Sequence, residues 1–237
     1  GGKFGGGCIE CTSELGLGFA MPTIPLYVCV TVWMKPPVSP LVKTGMITLS
    51  SRENDYVYSE NYAHAHLEYN ANGSISISRP GGVVVATSES GVLLPDTWHH
   101  IEFICYCSGT GTCKVYVDGV LALDIDDDFQ EGEPEYMTVL LLGGDGNTVS
   151  PGNIFDDLII REDGAGFPAL LGEHRIHTLV PTGDTAFMLF NGTFNDINEP
   201  YFADGDTSYI SGTLVEDKSE FMMADLPVSP STIHAVQ

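Results

Sequence analysis

The sequence predicts an all-β protein, a jelly-roll sandwich followed by a smaller β-rich C-terminal region. Three observations carry that expectation. Apolar and polar residues alternate with period two through most of the chain, and helical periodicity is nearly absent. Turn formers are abundant, with 27 Gly and 14 Pro in 237 residues. These turns recur at the short intervals of a jelly roll. A chain of this length buries about 70% or more of its unfolded surface, and a hydrophobic content of 43% suits a globular core.

The elements follow in order. "GGKFGGGCIEC" has neither the basic start nor the apolar core of a secretory signal. It also lacks an initiator Met, which points to processing or to further sequence. In "IPLYVCVTVWM", Leu26, Val28, Val30, Val32 and Met34 share one face, and Tyr27, Cys29, Thr31 and Trp33 share the other. Both faces are largely apolar, so this strand belongs inside a sandwich. "KPPVSP" ends it as a loop. Short strands follow at Gly45–Ser50, Tyr56–Ser59 and Ala63–Tyr69. Asn72-Gly73 reads as a hairpin turn in which both central residues tolerate positive φ. Ser74–Ser78 and Val83–Thr87 come next.

"TWHHIEFICYCSGTGTCKVYVDGVLALDID" then reads as a meander headed by Trp98, expected to be a large buried aromatic. Ile101, Phe103, Cys105 and Cys107 share one face, and His100, Glu102, Ile104 and Tyr106 share the other. "SGTG" turns the chain, and Asp118-Gly119 joins the next two strands. "YMTVLLLGG" and "NIFDDLIIRED" complete roughly a dozen short strands by Asp163. Asp156 and Asp157 alternate in the last of these. One of them therefore faces inward and needs hydrogen bonds, expected from the backbone amides of a neighbouring loop.

Composition shifts at "EDGAGFPALLGEH", which divides the chain into residues 1–163 and 164–237. Weaker strands are expected at Arg175–Val180, Ala186–Phe190, Ser208–Ser211 and Phe221–Met223. So few strands leave an edge open, so the expectation is pairing with further sequence, with the jelly roll or with another subunit.

Thirty-two acidic residues against nine basic ones give a net charge of −23. That field repels nucleic acid and anionic membranes and favours solubility. No apolar run reaches the ~20 residues of a membrane-spanning helix.

Each candidate chemistry has a simpler structural counterpart. Cys8 and Cys11 form one C-x-x-C, but no second pair completes a structural zinc site. Cys107 and Cys113 flank the hairpin connection; free thiols are favoured over a disulfide between them. His64 and His66 share a strand face without an evident third metal ligand, and His99 and His100 point to opposite faces. Asp124, Asp126 and Asp128 fall on one face if extended, a superficial match to a glycosidase strand. They lack a Glu and run into an acidic loop, so no enzymatic activity is expected. Asp124, Asp126 and Asp128, with Asp127 between them, or the cluster Asp204, Asp206 and Thr207, are the candidate ligands for Ca²⁺, with plain solvation favoured; otherwise no cofactor is expected. Asn54, Tyr56, Tyr58, Asn61 and Tyr62 form a Tyr/Asn-rich segment suited to a shallow glycan site.

Trp98 followed by His100, Ile101 and Phe103, then "VYVDG" and "FDDLII", resembles the concanavalin A-like, laminin G-like jelly roll across Phe4 to Asp163. The resemblance implies structural roles for Trp98, for a packed and hydrogen-bonded His100, for Asp118 and Gly119, and for Asp156 and Asp157. "FDDLIIREDGAGFPALLGEHRIHTLVPTGD", "DGDTSYISGT" and "FMMADLPVSPSTIHAVQ" are similar to a family of tailed-bacteriophage structural proteins. Glu173 departs from that family's usual Asp. Its usual tryptophan is absent, with Phe187 and Phe190 nearby. The resemblance implies a non-enzymatic virion component, either a capsid decoration or a tail or fibre protein. Such a component sits in the particle, contacts other virion proteins and forms a symmetric oligomer. The alternative is a carbohydrate-binding module, serving host-surface recognition or acting as a secreted lectin.

Overall fold

The computed structural model describes residues 2–4, 8–11, 15–20, 26–38, 43–51, 63–79, 82–130, 137, 139–145, 152–163, 169–176, 181–188, 193 and 219–223. The chain forms two compact units, Gly1–His174 and Arg175–Gln237.

The first unit is the expected β-sandwich. Its strands are β1 (Ile9–Cys11), β2 (Leu15–Ala20), β3 (Tyr27–Lys35), β4 (Thr44–Ser50), β5 (Ala63–Tyr69) and β6 (Ile75–Arg79). They continue as β7 (Val83–Thr87), β8 (His99–Tyr106), β9 (Gly111–Val117), β10 (Val120–Asp127), β11 (Val139–Asp145) and β12 (Asn153–Asp163). One six-stranded sheet, sheet A, has the order β1-β12-β3-β8-β9-β10. The other, sheet B, has the order β2-β11-β4-β5-β6-β7. Neighbouring strands are antiparallel throughout.

The core lies between the sheets. Sheet A contributes Val30, Val32, Met34, Ile101, Phe103 and Val115; sheet B contributes Ile47, Leu49, Leu67, Tyr69, Ile75 and Ile77. β3 is buried from Val28 to Met34 on both faces, as its doubly apolar pattern requires.

The two hairpin dipeptides close differently. Asp118 and Gly119 both take positive φ, 51° and 77°, in a two-residue turn between paired Val117 and Val120. At Asn72-Gly73 only Gly73 is left-handed, at φ 80°. The Gly73 amide donates to Asn70 O, and the Asn72 side chain accepts from the Ser74 amide. A Cβ on Gly73 would sit 2.7 Å from Leu93 O, so glycine is required twice over there.

Several expectations change. β1 and β2 arise from a stretch to which the sequence pattern assigns no element. Trp98 precedes β8 and is half-buried. The buried tryptophan is Trp33, on the outward face of β3 under covering chain. Register sets Cys105, not Cys107, opposite Cys113, because Cys107 lies beyond the end of β8. A bulge with Asp157 at φ 48° interrupts the alternation of Asp156 and Asp157, and both are half-buried.

In the second unit, β13 (Pro181–Met188) pairs antiparallel with β14 (Ser219–Met223). Arg175 and Ile176 are not strand; residues 177–180 and 208–211 lie outside the described residues.

Candidate functional site

The outer faces of both sheets carry polar rows, because every second residue of a core-facing strand points away from the core. On sheet B that row is Thr48 and Ser50 from β4, His64, His66 and Glu68 from β5, and Ser76 and Ser78 from β6. All of these are buried. His66 Nδ1 lies 3.2 Å from Thr48 Oγ1, and His64 Nδ1 lies 3.1 Å from Phe129 O. Ser78 Oγ donates to Glu68 Oε2 at 2.7 Å, and Lys43 pairs with the same oxygen.

Toward the Asn72 turn this row opens into a shallow groove of about 490 Å³. Its polar lining is Lys43, Asn70, Asn72, Ser74, Ser76 and Thr87, joined by Ala71 and Val84. The polar groups hold one another in place. Asn70 Nδ2 donates to Ser76 Oγ at 2.7 Å and to Ser74 Oγ at 3.1 Å. Ser74 Oγ donates to Asn72 Oδ1 at 2.8 Å, and the Ser76 and Thr87 hydroxyls lie 3.0 Å apart. Asn70 Oδ1 and Asn72 Nδ2 take no part in these bonds. The groove thus presents amide, hydroxyl and ammonium groups in fixed positions, with both donors and acceptors on offer.

On sheet A most of the polar row is engaged by the protein's own chain, with Glu102 Oε2 and Arg161 Nε left buried without a hydrogen bond among the described residues. Trp33 Nε1 donates to His174 O at 2.9 Å. His174 Nε2 donates to Asp157 O at 2.7 Å, which leaves its Nδ1 to accept from His100 Nε2 at 3.1 Å. The Gly172 amide donates to Glu102 Oε1 at 2.6 Å, and Arg161 donates to Ala169 O at 2.7 Å. Residues 169–174 are therefore strapped across the sheet. Burial first, then His174, pushes His100 down to about 4, with Asp118 opposing. Burial also raises Glu102, against the pull of the Gly172 amide and of Arg161. This group of imidazoles and carboxylates has the composition of a catalytic site, but its bonds are those of a clasp.

The residues singled out from sequence fall as follows. Asn54, Tyr56, Tyr58, Asn61 and Tyr62 lie outside the described residues, on the connection from β4 to β5, and Asp204, Asp206 and Thr207 also lie outside them. Asp124 and Asp126 lie on edge strand β10 and are engaged by β9, Asp124 by Lys114 Nζ at 2.8 Å and Asp126 by Thr112 Oγ1 at 2.7 Å. Asp128 lies past the strand and accepts from the Gln130 amide at 3.0 Å. Among the described residues no group of three His, Cys, Asp or Glu has a metal-holding arrangement. Asp118 ties the β9–β10 turn to β8, accepting from the His100 amide at 2.8 Å and from His99 Nδ1 at 2.7 Å. His99 Nε2 accepts from the Leu94 amide, which places the ring proton on Nδ1. Asp156 is the carboxylate that meets a backbone amide from another segment, that of Lys3, at 2.8 Å. Sequence reasoning missed the groove residues. Their one signal was the outward-facing run of Ser and Asn around "NANGSIS".

No family model matches the chain, and no curated protein matches it. The virion expectation therefore gains no support from either comparison. Solved structures do resemble it in architecture. Sheep galectin-11 in complex with glycerol is 8% identical, with 62% of this chain and 98% of that one covered and a TM-score of 0.43. The carbohydrate-binding module CBM66 from Bacillus subtilis is 12% identical, with 67% and 92% covered and a TM-score of 0.45. A mutant of alginate lyase Aly36B in complex with alginate trisaccharide is 10% identical, with 60% and 72% covered and a TM-score of 0.43.

Proposed function

We propose that this protein is a non-catalytic carbohydrate-binding β-sandwich whose ligand lies in the groove at the Asn72 end of sheet B. The observation that carries the reading is the groove lining, in which five polar side chains, Asn70, Asn72, Ser74, Ser76 and Thr87, hold one another in place beside Lys43, which Glu68 holds. A sugar hydroxyl both donates and accepts, and a neighbouring amide and hydroxyl satisfy both needs at once. Pre-bonded side chains lose little rotamer freedom when the ligand arrives. The groove is shallow and lined by only two apolar side chains, so binding is weak, with a Kd on the order of 1 mM, or about −4 kcal/mol. Lys43 is already neutralised by Glu68, and the chain carries a charge of −23, so neutral glycans are favoured over anionic ones.

A glycan array followed by titration calorimetry tests this. Binding of a neutral oligosaccharide, weakened by Asn70→Ala in protein that remains folded at the assay temperature, is the expected outcome. Failure of every glycan to bind, or binding indifferent to Asn70, would sink the reading. The virion role inferred from the C-terminal resemblance rests on sequence alone; recovery of the chain at fixed copy number in purified particles would bring it forward.

A further inference from the structure

Cys105 and Cys113 stand directly opposite each other on β8 and β9. Both are fully buried, and their sulfurs lie 2.8 Å apart. Directly opposed residues of an antiparallel pair hold their Cβ atoms about 4.5–5.5 Å apart, and a disulfide needs about 3.5–4.5 Å. A small closure of the hairpin therefore suffices. The third sulfur nearby is engaged elsewhere, since Cys107 Sγ donates to Phe129 O at 3.4 Å.

We propose that Cys105 and Cys113 are a latent cross-strand disulfide, closed by a small-molecule disulfide of the glutathione class while the hairpin is still open to solvent. The Cys113 thiolate attacks one sulfur of the small disulfide, forming a mixed disulfide and releasing one small thiolate. The Cys105 thiolate then attacks the Cys113 sulfur, which forms the cross-strand bond and releases the second. The cysteine pair loses two electrons and two protons; the small disulfide gains both and leaves as two thiols.

The timing follows from the packing. In the finished sandwich neither sulfur is exposed, and burial together with the adjoining Cys105 thiol pushes the Cys113 thiol well above its ordinary range. Thiolate, the reacting species, is then scarce and out of reach. The pair closes during folding or not at all, and once the reduced protein has folded it is inert.

The test uses the full chain, refolded either with reduced glutathione alone or with a reduced and oxidised mixture. The product is alkylated in denaturant without reduction and digested with trypsin. Cys105, Cys107 and Cys113 all fall in the peptide Glu53–Lys114, because Arg79 precedes proline. After oxidative refolding that peptide is expected to carry a single alkyl group, on Cys107. It should be lighter by two hydrogens and give no backbone fragments between Cys105 and Cys113. Already folded, reduced protein given the same mixture is expected to take three alkyl groups. Cys107→Ser purified from an oxidising compartment should show the same linkage without a refolding step. Three alkyl groups after oxidative refolding, or fragments at Tyr106 that reveal a Cys107–Cys113 bond, would overturn the proposal. Rapid oxidation of the folded protein would overturn the timing.

Discussion

The outer faces of sheets A and B begin from the same pattern and end differently. Each carries polar side chains at alternate positions, as strands with one core-facing side must. On sheet A, Trp33, His100, Glu102 Oε1 and the Arg161 guanidinium are bonded by residues 169–174, so the face is covered by the protein's own chain, although among the described residues Glu102 Oε2 and Arg161 Nε stay buried without a hydrogen bond. On sheet B, Asn70, Asn72, Ser74, Ser76 and Thr87 bond to one another, and part of the row stays open as a groove. A polar face is thus not itself a site. What separates a clasp from a binding surface is whether the chain supplies the remaining partners or leaves them to a ligand. Stability should therefore concentrate on sheet A and binding on sheet B.

The largest expected effect tests the clasp. Trp33→Ala removes a buried aromatic that donates to His174 O and meets Phe4 edge-on at 5.7 Å. A loss of about 3–5 kcal/mol is expected by denaturant titration, the range for Trp→Ala in a packed site. A loss below 1 kcal/mol would mean that the strap is not what seals sheet A.

His100 gives the next largest effect, and it depends on pH. Its folded value is lowered from 6.5 to about 4, so the fold prefers neutral imidazole. Its contribution is fully present above pH 6.5 and is lost as pH falls from 6.5 toward 4, by about 3 kcal/mol at most. Glu102 runs the other way: burial raises it, so its charged form costs stability that acidification recovers. Comparing the melting temperature of wild type with that of His100→Gln across this window isolates the imidazole. Parallel pH curves would contradict the neutral His100–His174 bond.

On sheet B the stability effects are smaller. Ser76→Ala takes the shared partner from Asn70 and Thr87 and should cost about 1 kcal/mol. Thr87→Val keeps shape at an exposed edge, so stability should stay within about 0.5 kcal/mol while glycan affinity falls several-fold. Were Thr87→Val to unfold the protein and Trp33→Ala to spare it, the contrast between the faces would be reversed.

Much of the sandwich was legible because β3, β5, β8 and the β9–β10 hairpin carry period-two patterns bounded by strong turn residues. β1 and β2 were not, because "CIEC", which follows a glycine run, and the glycine-interrupted "LGLGFA" are short edge segments whose pairing is decided by β12 and β11, far along the chain. The polar alternation of β5 and β6 was visible, but not where it opens. Nothing local in "NANGSIS" tells that Lys43 and Thr87 arrive beside it. The clasp was hidden for the same reason. His174 sits in a stretch that resembles another family, and only the folded chain brings it onto Trp33 and His100.

The attachment of β1 and β2 also sets a schedule. Ile9 pairs with Phe155, and Leu17 with Leu142, so β1 and β2 wait for strands that follow them by more than a hundred residues. At about 5–20 residues per second, β12 leaves the ribosome roughly 7–30 s after β1. Throughout that interval two edge strands hold unpaired amides, and central β3 lacks its β12 neighbour. Closing so long a loop is entropically slow beside the local β8–β9–β10 meander, which can form as soon as it emerges. The β8–β9–β10 meander is thus expected to form first, with the seam for β12 open until residue 163 arrives.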